Sequence, residues 1–333
     1  YNGGGLGRAC VDSVLASSYP QLEVLVVDNA SRDDSLARMA DLEAGGRIRV
    51  VRNRANEGYS VGNNLGAARA TGELTLFLNN DTRVRPDAIE RMVAFFRAQP
   101  ETGAAQPLIV SMEDESRVAN AGNDLDTLGF HQCLGEGESV GSVPVRTPTS
   151  YAQGAALMIR TPLYRAVGGF DPILRFYHTD ADLSWKVWLA GYEVAVVADA
   201  RVLHAEGSSA SAATLPDRLL RLVHGQLVMV GKNYERTNAV AALGALLAID
   251  LATAVLFVAL GRRAEARMVV RGVGAFLLEL PKVVGARRAV RRFRAVSDEE
   301  TRRRALRRFN PLGVLVLKRQ GYGYASDRAQ SRF

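Results

Sequence analysis

Leu22–Ser35 reads LEVLVVDNASRDDS. Leu22–Val27 is apolar but for Glu23 and has the length of a buried strand, and the polar residues after it read as a turn. Such a strand delivers Asp28 and Asn29 to its carboxyl end, where ligands bind in open α/β sheets. There Asp28 can accept hydrogen bonds from a nucleobase or ribose. The competing role is helix capping, with Ser31, Asp33 or Asp34 satisfying the first amides of the next helix. Outward from this stretch, Ile48–Arg52, Leu74–Leu78 and residues 104–110, 155–160 and 194–198 read as further strands. Helical patterns fall at Leu6–Ser17, Ser35–Glu43, Gly62–Ala70 and Asp87–Ala98, with Pro86 where a first helical turn tolerates it. The alternation predicts an α/β sheet with parallel strands. Ser111–Ser150 shows weak periodicity and reads as a long irregular loop region.

After Pro216 the character changes. The chain has 333 residues, enough for one large domain and an extension. Residues 1–217 hold 19 Lys/Arg against 27 Asp/Glu, and residues 218–333 hold 23 against 8. An acidic part suits metal and sugar chemistry, and a basic part suits phosphates, lipid head groups or nucleic acid. Pro216–Lys232 is helical in pattern, and Ala239–Leu260 is almost wholly apolar and, at about 22 residues, long enough to cross a bilayer. Asp250 near its middle is costly in lipid. A second apolar patch, Val269–Val284, is broken by Arg271, Glu279, Pro281 and Lys282, and arginine clusters follow from Arg287 to Arg308. These features predict membrane-associating helices with a basic belt; the alternative is a soluble helical subdomain. Few aromatics interleave the arginines, which argues against nucleic acid. Cys10 and Cys133 make no disulfide framework and no zinc site, and a reducing compartment fits. The opening, YNGGGLGRAC, has no initiator Met and no secretory pattern, and reads as a missing start.

Three more segments carry chemistry. LFLNNDT (Leu76–Thr82) ends an apolar strand in Asn79, Asn80 and Asp81. A carboxylate there can hold a hard divalent cation that bridges a diphosphate, or belong to an ordinary turn. In YHTDADLSWKVWLAGY (Tyr177–Tyr192), Asp180 suits either a general base or a helix N-cap, and Asp182 the positive end of that helix. In ARVLHAEGSS (Ala200–Ser209), His204 is a metal ligand only with Asp81 as partner.

With NEGYSVGNNLGAARATGE (Asn56–Glu73) and QGAALMIRTPLYRAVGGFDP (Gln153–Pro172), these segments resemble, in order and spacing over residues 1–235, family 2 glycosyltransferases of the GT-A fold, especially the bacterial rhamnosyltransferase-like branch. The resemblance implies a Rossmann-like mixed sheet flanked by helices in a catalytic domain over 1–215, followed by a helical, basic, membrane-associating region over 216–333. It implies nucleotide contacts from Tyr1, Asn2 and Asp28, and donor-phosphate contacts from Asn56, Gly58, Gly62 and Asn63, where a helix N-terminus favours anions. Asn79 and Asn80 lie on the donor side, Asp81 and His204 become ligands to Mg2+ or Mn2+, and Asp180 becomes the catalytic base. Gly154, Ala155, Asp182 and Trp185 fall on the acceptor side, although Trp185 and Trp188 also fit a core.

The implied reaction is inverting transfer from a UDP- or dTDP-sugar, a deoxyhexose such as rhamnose by the resemblance, to a lipid-linked glycan at the cytoplasmic face of the bacterial plasma membrane. Two departures from the family pattern bear on this. Thr179 stands where the family has Glu before the base, and the chain begins after the family's first strand, so part of the nucleotide site is expected to be absent. A catalytically silent, nucleotide-sugar-binding membrane scaffold is the alternative expectation.

Overall fold

The computed structural model describes residues 1–205 and 215–309. Two compact units divide the chain: residues 1–124, 133–205 and 293–295 form one, and residues 125–132 with the described parts of 206–292 and 296–333 form the other. In chain order the elements are α1 (Gly4–Leu15), β1 (Leu25–Asp28), a 3-10 turn (Ala37–Met39) continuing as α2 (Ala40–Ala44), β2 (Arg49–Arg52), α3 (Tyr59–Ala67), β3 (Leu74–Leu78), β4 (Thr82–Val84), α4 (Ala88–Ala98) and β5 (Thr102–Ser111). Next come β6 (Val118–Asn120), β7 (Asn123–Asp126), β8 (His131–Cys133), β9 (Arg146–Pro148), β10 (Ala156–Arg160), α5 (Thr161–Ala166), α6 (Thr179–Leu189) and β11 (Glu193–His204). The rest is α7 (Leu215–Asn233), α8 (Arg236–Ala259), α9 (Arg263–Leu278), α10 (Leu280–Phe293), α11 (Asp298–Arg304) and β12 (Leu306–Arg307).

The first unit holds a mixed seven-stranded sheet in the order β3-β10-β5-β11-β4, with β6 on β5 and β9 on β11, and a separate parallel pair β1-β2. Strand β5 is central and buried along nearly its whole length. Its Pro107 has no amide to give the ladder, and opposite it β11 slips register between Val197 and Arg201. Pairing then resumes, so that His204 faces Ser111 on one side and Thr82 on the other. Helix α4 seals this end of the sheet, packing Ile89, Met92 and Phe96 on Met158, Val197 and Val202. Burial of a side chain such as Met92 or Phe96 contributes about 1.5–3 kcal/mol.

Three local expectations are corrected. The Ser111–Ser150 stretch is not wholly irregular but carries β6 to β9, strands of three or four residues, too short to show a period. Pro86 precedes α4 instead of opening it, and its carbonyl accepts from the Ser18 amide. Neither Asp33 nor Asp34 caps the next helix: the 3-10 turn has no side-chain cap, and Asp33 instead accepts from the amides of Gly4, the first residue of α1, and of Ser35.

The second unit is helical. On α8 the buried positions Ala239, Ala242, Leu246, Asp250, Thr253, Ala254 and Phe257 recur every three or four residues and make one packed face. Asp250 lies on that face. Helices α7 and α9 approach closely at Gly272, where a Cβ would come 2.9 Å from the Leu220 carbonyl oxygen. Asp298 accepts from the Glu235 amide at the start of α8 and from Asn238. Leu306 and Arg307 pair in parallel with Leu125 and Asp126.

Candidate active site

The strand ends and turns of the first unit gather the predicted residues into three adjoining groups. The first surrounds the end of β1. Asp28 is buried, and its carboxylate accepts from the Ser31 amide, closing a turn in which Ala30 takes a left-handed φ of 60°. The Asn2 amide donates to Ser31 Oγ, and Asn2 Oδ1 accepts from the Arg32 amide, while Tyr1 is half exposed. Asn29 donates to the Gly58 carbonyl and lies against Gly62, where a Cβ would meet its Nδ2 at 2.7 Å. Gly58 caps α3 at φ 92°, with space for a Cβ closed by the Arg175 carbonyl at 2.9 Å, so only glycine fits. Asn56 accepts from the Gly58 amide, and Asn63 donates to the Tyr59 carbonyl. The Asp28 turn and the start of α3 are thus one structure.

The second group follows from the β3–β10 and β4–β11 pairings. Ala156 sits opposite Leu78, so the next residues meet as well: the Asn79 amide donates to the Ala155 carbonyl at 2.9 Å. Gly3 packs on the Asn80 side chain. Thr82 opposite His204 brings the neighbouring Asp81, 4% exposed, to the imidazole: Asp81 Oδ1 lies 3.4 Å from His204 Nε2. His204 Nδ1 is buried without a hydrogen-bond partner among the described residues. A carboxylate oxygen and an imidazole nitrogen at this separation, with one ring nitrogen uncommitted, fit a divalent cation such as Mg2+ or Mn2+. No group of three His, Cys, Asp or Glu side chains suited to a metal occurs among the described residues. Glu206–Ser209, the tail of the His204 motif, lies outside the described residues.

The third group centres on Asp180. Helix α6 buries ten of its eleven residues, and Asp180 is the exception. Asp180 is not the N-cap; that position belongs to His178, which follows Tyr177 in the left-handed region, with φ of 55° and 60°. Two consecutive non-glycine residues there cost on the order of 1–3 kcal/mol each and mark a chain held against its preference. Asp180 Oδ2 accepts from the Gly154 amide at 2.9 Å and Oδ1 from the Ala181 amide at 3.0 Å. Surrounding protein desolvates the carboxylate and raises its pKa from 3.8 despite these bonds.

Asp182 and Trp185 depart from the acceptor-side expectation. Asp182 is 0% exposed beside Lys186 Nζ at 3.8 Å, and Trp185 is 1% exposed, so both belong to the interior of the all-buried helix. Tyr59 escaped the sequence reading. Its hydroxyl donates to the Gly154 carbonyl at 2.8 Å, and its only signal was a large aromatic directly after Gly58 in the glycine-rich NEGYSVGNN stretch.

Residues 74–270 match the family described as Glycosyl transferase family group 2, and residues 1–137 that described as Glycosyl transferase family 2. The first match covers more than half of the chain, which belongs to glycosyl transferase family group 2. The chain is 30% identical over 227 residues to the O-antigen biosynthesis protein RfbC of Myxococcus xanthus, covering 63% of this chain and 17% of that protein. It spans 17%, 24% and 40% of the lengths of three relatives it matches. Among solved structures, S. aureus TarS 1–349 in complex with UDP-GlcNAc superposes with a TM-score of 0.57 at 17% identity, over 97% of this chain and 90% of that one. The mannosyltransferase PcManGT from Pyrobaculum calidifontis, in complex with GDP-Man and Mn2+, does so at 0.51 and 19%, over 83% and 84%. Both share the GT-A-like fold.

Proposed function

We propose that this chain is an inverting glycosyltransferase that moves a sugar from a nucleoside-diphosphate donor to a hydroxyl of a carrier-linked glycan. The observation that carries the reading is Asp180, the one residue of α6 that is not fully buried, tied through Gly154–Ala155 to the turn that bears Asp81. In this reading residues 1–215 are the catalytic domain. Asp180, its affinity for a proton raised by burial, removes the proton of the acceptor hydroxyl, which attacks the anomeric carbon opposite the leaving diphosphate. The Asp28 turn and the start of α3 hold the donor. Asp81 and His204 would hold a divalent cation, Mg2+ or Mn2+, which neutralises charge on the leaving diphosphate when bound. A UDP- or dTDP-sugar, rhamnose among the candidates, follows from the motif resemblance, and a mannose donor from the PcManGT likeness is the rival.

The region after residue 215 is proposed to seat the enzyme on the cytoplasmic face of a bacterial plasma membrane, where a lipid carrier presents the acceptor. Its support is apolar surface: Leu251, Val255, Leu256, Val258 and Leu260 of the α8 end, and Leu277, Leu278 and Leu280 beyond it, are exposed beside a net basic composition.

The test is donor hydrolysis by full-length protein across UDP-, dTDP- and GDP-sugars, with Mg2+, Mn2+ or chelator, beside Asp81→Ala and Asp180→Ala. Metal-dependent release of nucleoside diphosphate from one donor, lost in both variants, is expected. Nucleotide binding without turnover of any donor would leave the silent scaffold as the better account, and absence of both would overturn the transferase reading.

A further inference from the structure

Asp180 is oriented by main chain, and that main chain is itself clamped. Three consecutive residues, Gln153 to Ala155, are held at four points. The Gln153 amide donates to Gln106 Oε1 at 2.7 Å, and Gln106 is in turn fixed by a bond to Asn120 Oδ1 at 2.9 Å. The Gly154 amide donates to Asp180 Oδ2, the Gly154 carbonyl accepts from Tyr59 Oη, and the Ala155 carbonyl accepts from the Asn79 amide. Gly154 has no side chain of its own to hold it. A Cβ there would come 2.8 Å from Tyr59 Oη and 3.5 Å from Asp180 Cβ, so the space is already filled by those two residues.

Tyr59 is suited to hold this segment in place. It opens α3, its amide donates to the Arg175 carbonyl at 3.0 Å, and its ring meets Phe170 edge-on with centroids 5.2 Å apart. Burial, and then the neighbouring Asp180 charge, push its pKa well above 10, so the hydroxyl keeps its proton at any working pH.

We propose that Tyr59 is a positioning residue for Asp180, fixing through Gly154 the direction in which the carboxylate meets the acceptor hydroxyl. The role rests on the transferase reading above. It ties the loop assigned to the donor phosphates to the base by one side chain, and a misplacement of the base by about 1 Å is enough to cost about a hundredfold in rate.

The test is Tyr59→Phe, which keeps the ring against Phe170 and removes only the hydroxyl. Expected are a kcat about tenfold lower, an unchanged affinity for the nucleoside diphosphate and no more than the small drop in melting temperature that one lost buried hydrogen bond brings. The acid limb of the pH–rate profile should also move to higher pH, because a loosened Gly154 amide stabilises the Asp180 carboxylate less. Tyr59 is the titratable group the structure sets against that carboxylate, and the amides of Gly154 and Ala181 supply its hydrogen bonds. A purely structural role would instead lower melting temperature by more, weaken donor binding and leave the limb in place. Gly154→Ala, which drives a Cβ into Tyr59 Oη, should lower kcat further while nucleotide binding persists. Wild-type kcat and pH profile in Tyr59→Phe, with Asp180→Ala inactive, would overturn the positioning role and leave the transferase reading standing. Turnover that survives Asp180→Ala would overturn that reading, and the role with it.

Discussion

The two units break the ordinary rule of burial in different ways. In the first, helix α6 buries even Asp182 and Lys186, and the one residue it does not fully bury is an acid, Asp180. In the second, α8 buries an acid, Asp250, and leaves apolar side chains in the open, Leu251 at 67% and, on the neighbouring α9, Leu278 at 85%. Acids are ordinarily kept out and leucines in, so the departures are the buried Asp182 and Lys186 of α6 and the buried Asp250 and open leucines of the second unit, whereas the less buried Asp180 follows the rule. The first unit presents a point, one carboxylate with a fixed direction. The second presents an area. Point and area call for different chemistry: proton transfer demands orientation, whereas adhesion to a membrane demands apolar extent and charge of one sign.

The sharpest way to break this contrast is at the point. Asp180→Ala should lower kcat by about 10²–10⁴, measured as nucleoside diphosphate release in the presence of acceptor, with nucleotide affinity retained. Loss of nucleotide affinity as well would mean that Asp180 serves to hold α6 and its strained entry. Asp81→Ala should behave differently. Its kcat falls by about 10²–10³, and the dependence of nucleotide affinity on Mn2+ or Mg2+ disappears in a calorimetric titration. Equal metal dependence in variant and wild type would remove Asp81 and His204 as the cation site.

Legibility in the sequence follows the same divide. Strand ends were readable because an apolar run stopping in Asp28-Asn29 or Asn79-Asn80-Asp81 reports a buried strand and its rim together. What joined those rims was not readable. Asp81 and His204, 123 positions apart, are brought together by the antiparallel β4–β11 register, and that register depends on the slip opposite Pro107. Asp182 and Trp185 looked like site residues because they neighbour Asp180 in sequence, but successive helix positions point about 100° apart, and theirs point inward. Tyr59 was missed because its bond is to a backbone oxygen 95 residues away, and no residue pattern records such a contact. In the second unit the apolar run of α8 was plain, whereas its division into a packed face and an open one required the positions of α7 and α9.

The area is tested with vesicles. Wild type should float with liposomes containing anionic lipid and bind neutral ones less. Leu251→Glu with Val255→Glu should reduce binding more than about tenfold, since each charge enters apolar surface at a cost of several kcal/mol at most depths. Exposed Arg263, Arg267 and Arg271 recur every four residues along α9. Changing all three to Gln should weaken binding to anionic vesicles by about 1 kcal/mol per residue, an effect that disappears at high salt. Binding that ignores both sets of changes would remove the membrane surface from the proposal. A shift from dimer to monomer on losing the apolar residues would instead assign the area to a second copy of the chain.

The smallest effect expected concerns a buried charge that belongs to the second unit and has no part in chemistry. Asp126 accepts from the amides of Leu128 and Phe130 at 2.8 and 3.0 Å, closing the turn after β7. Desolvation nevertheless lifts its pKa from 3.8 to about 6. The folded state therefore holds a proton that the unfolded state gives up between these values. Stability from this group is greatest when it is protonated and falls as pH rises from about 4 through 6. Asp126→Asn keeps the acceptor and removes the titration. Its stability relative to wild type, from urea unfolding midpoints, should improve by about 1 kcal/mol between pH 5 and pH 8. A difference that stays constant over that range would mean that Asp126 is as well solvated by its turn amides as by water.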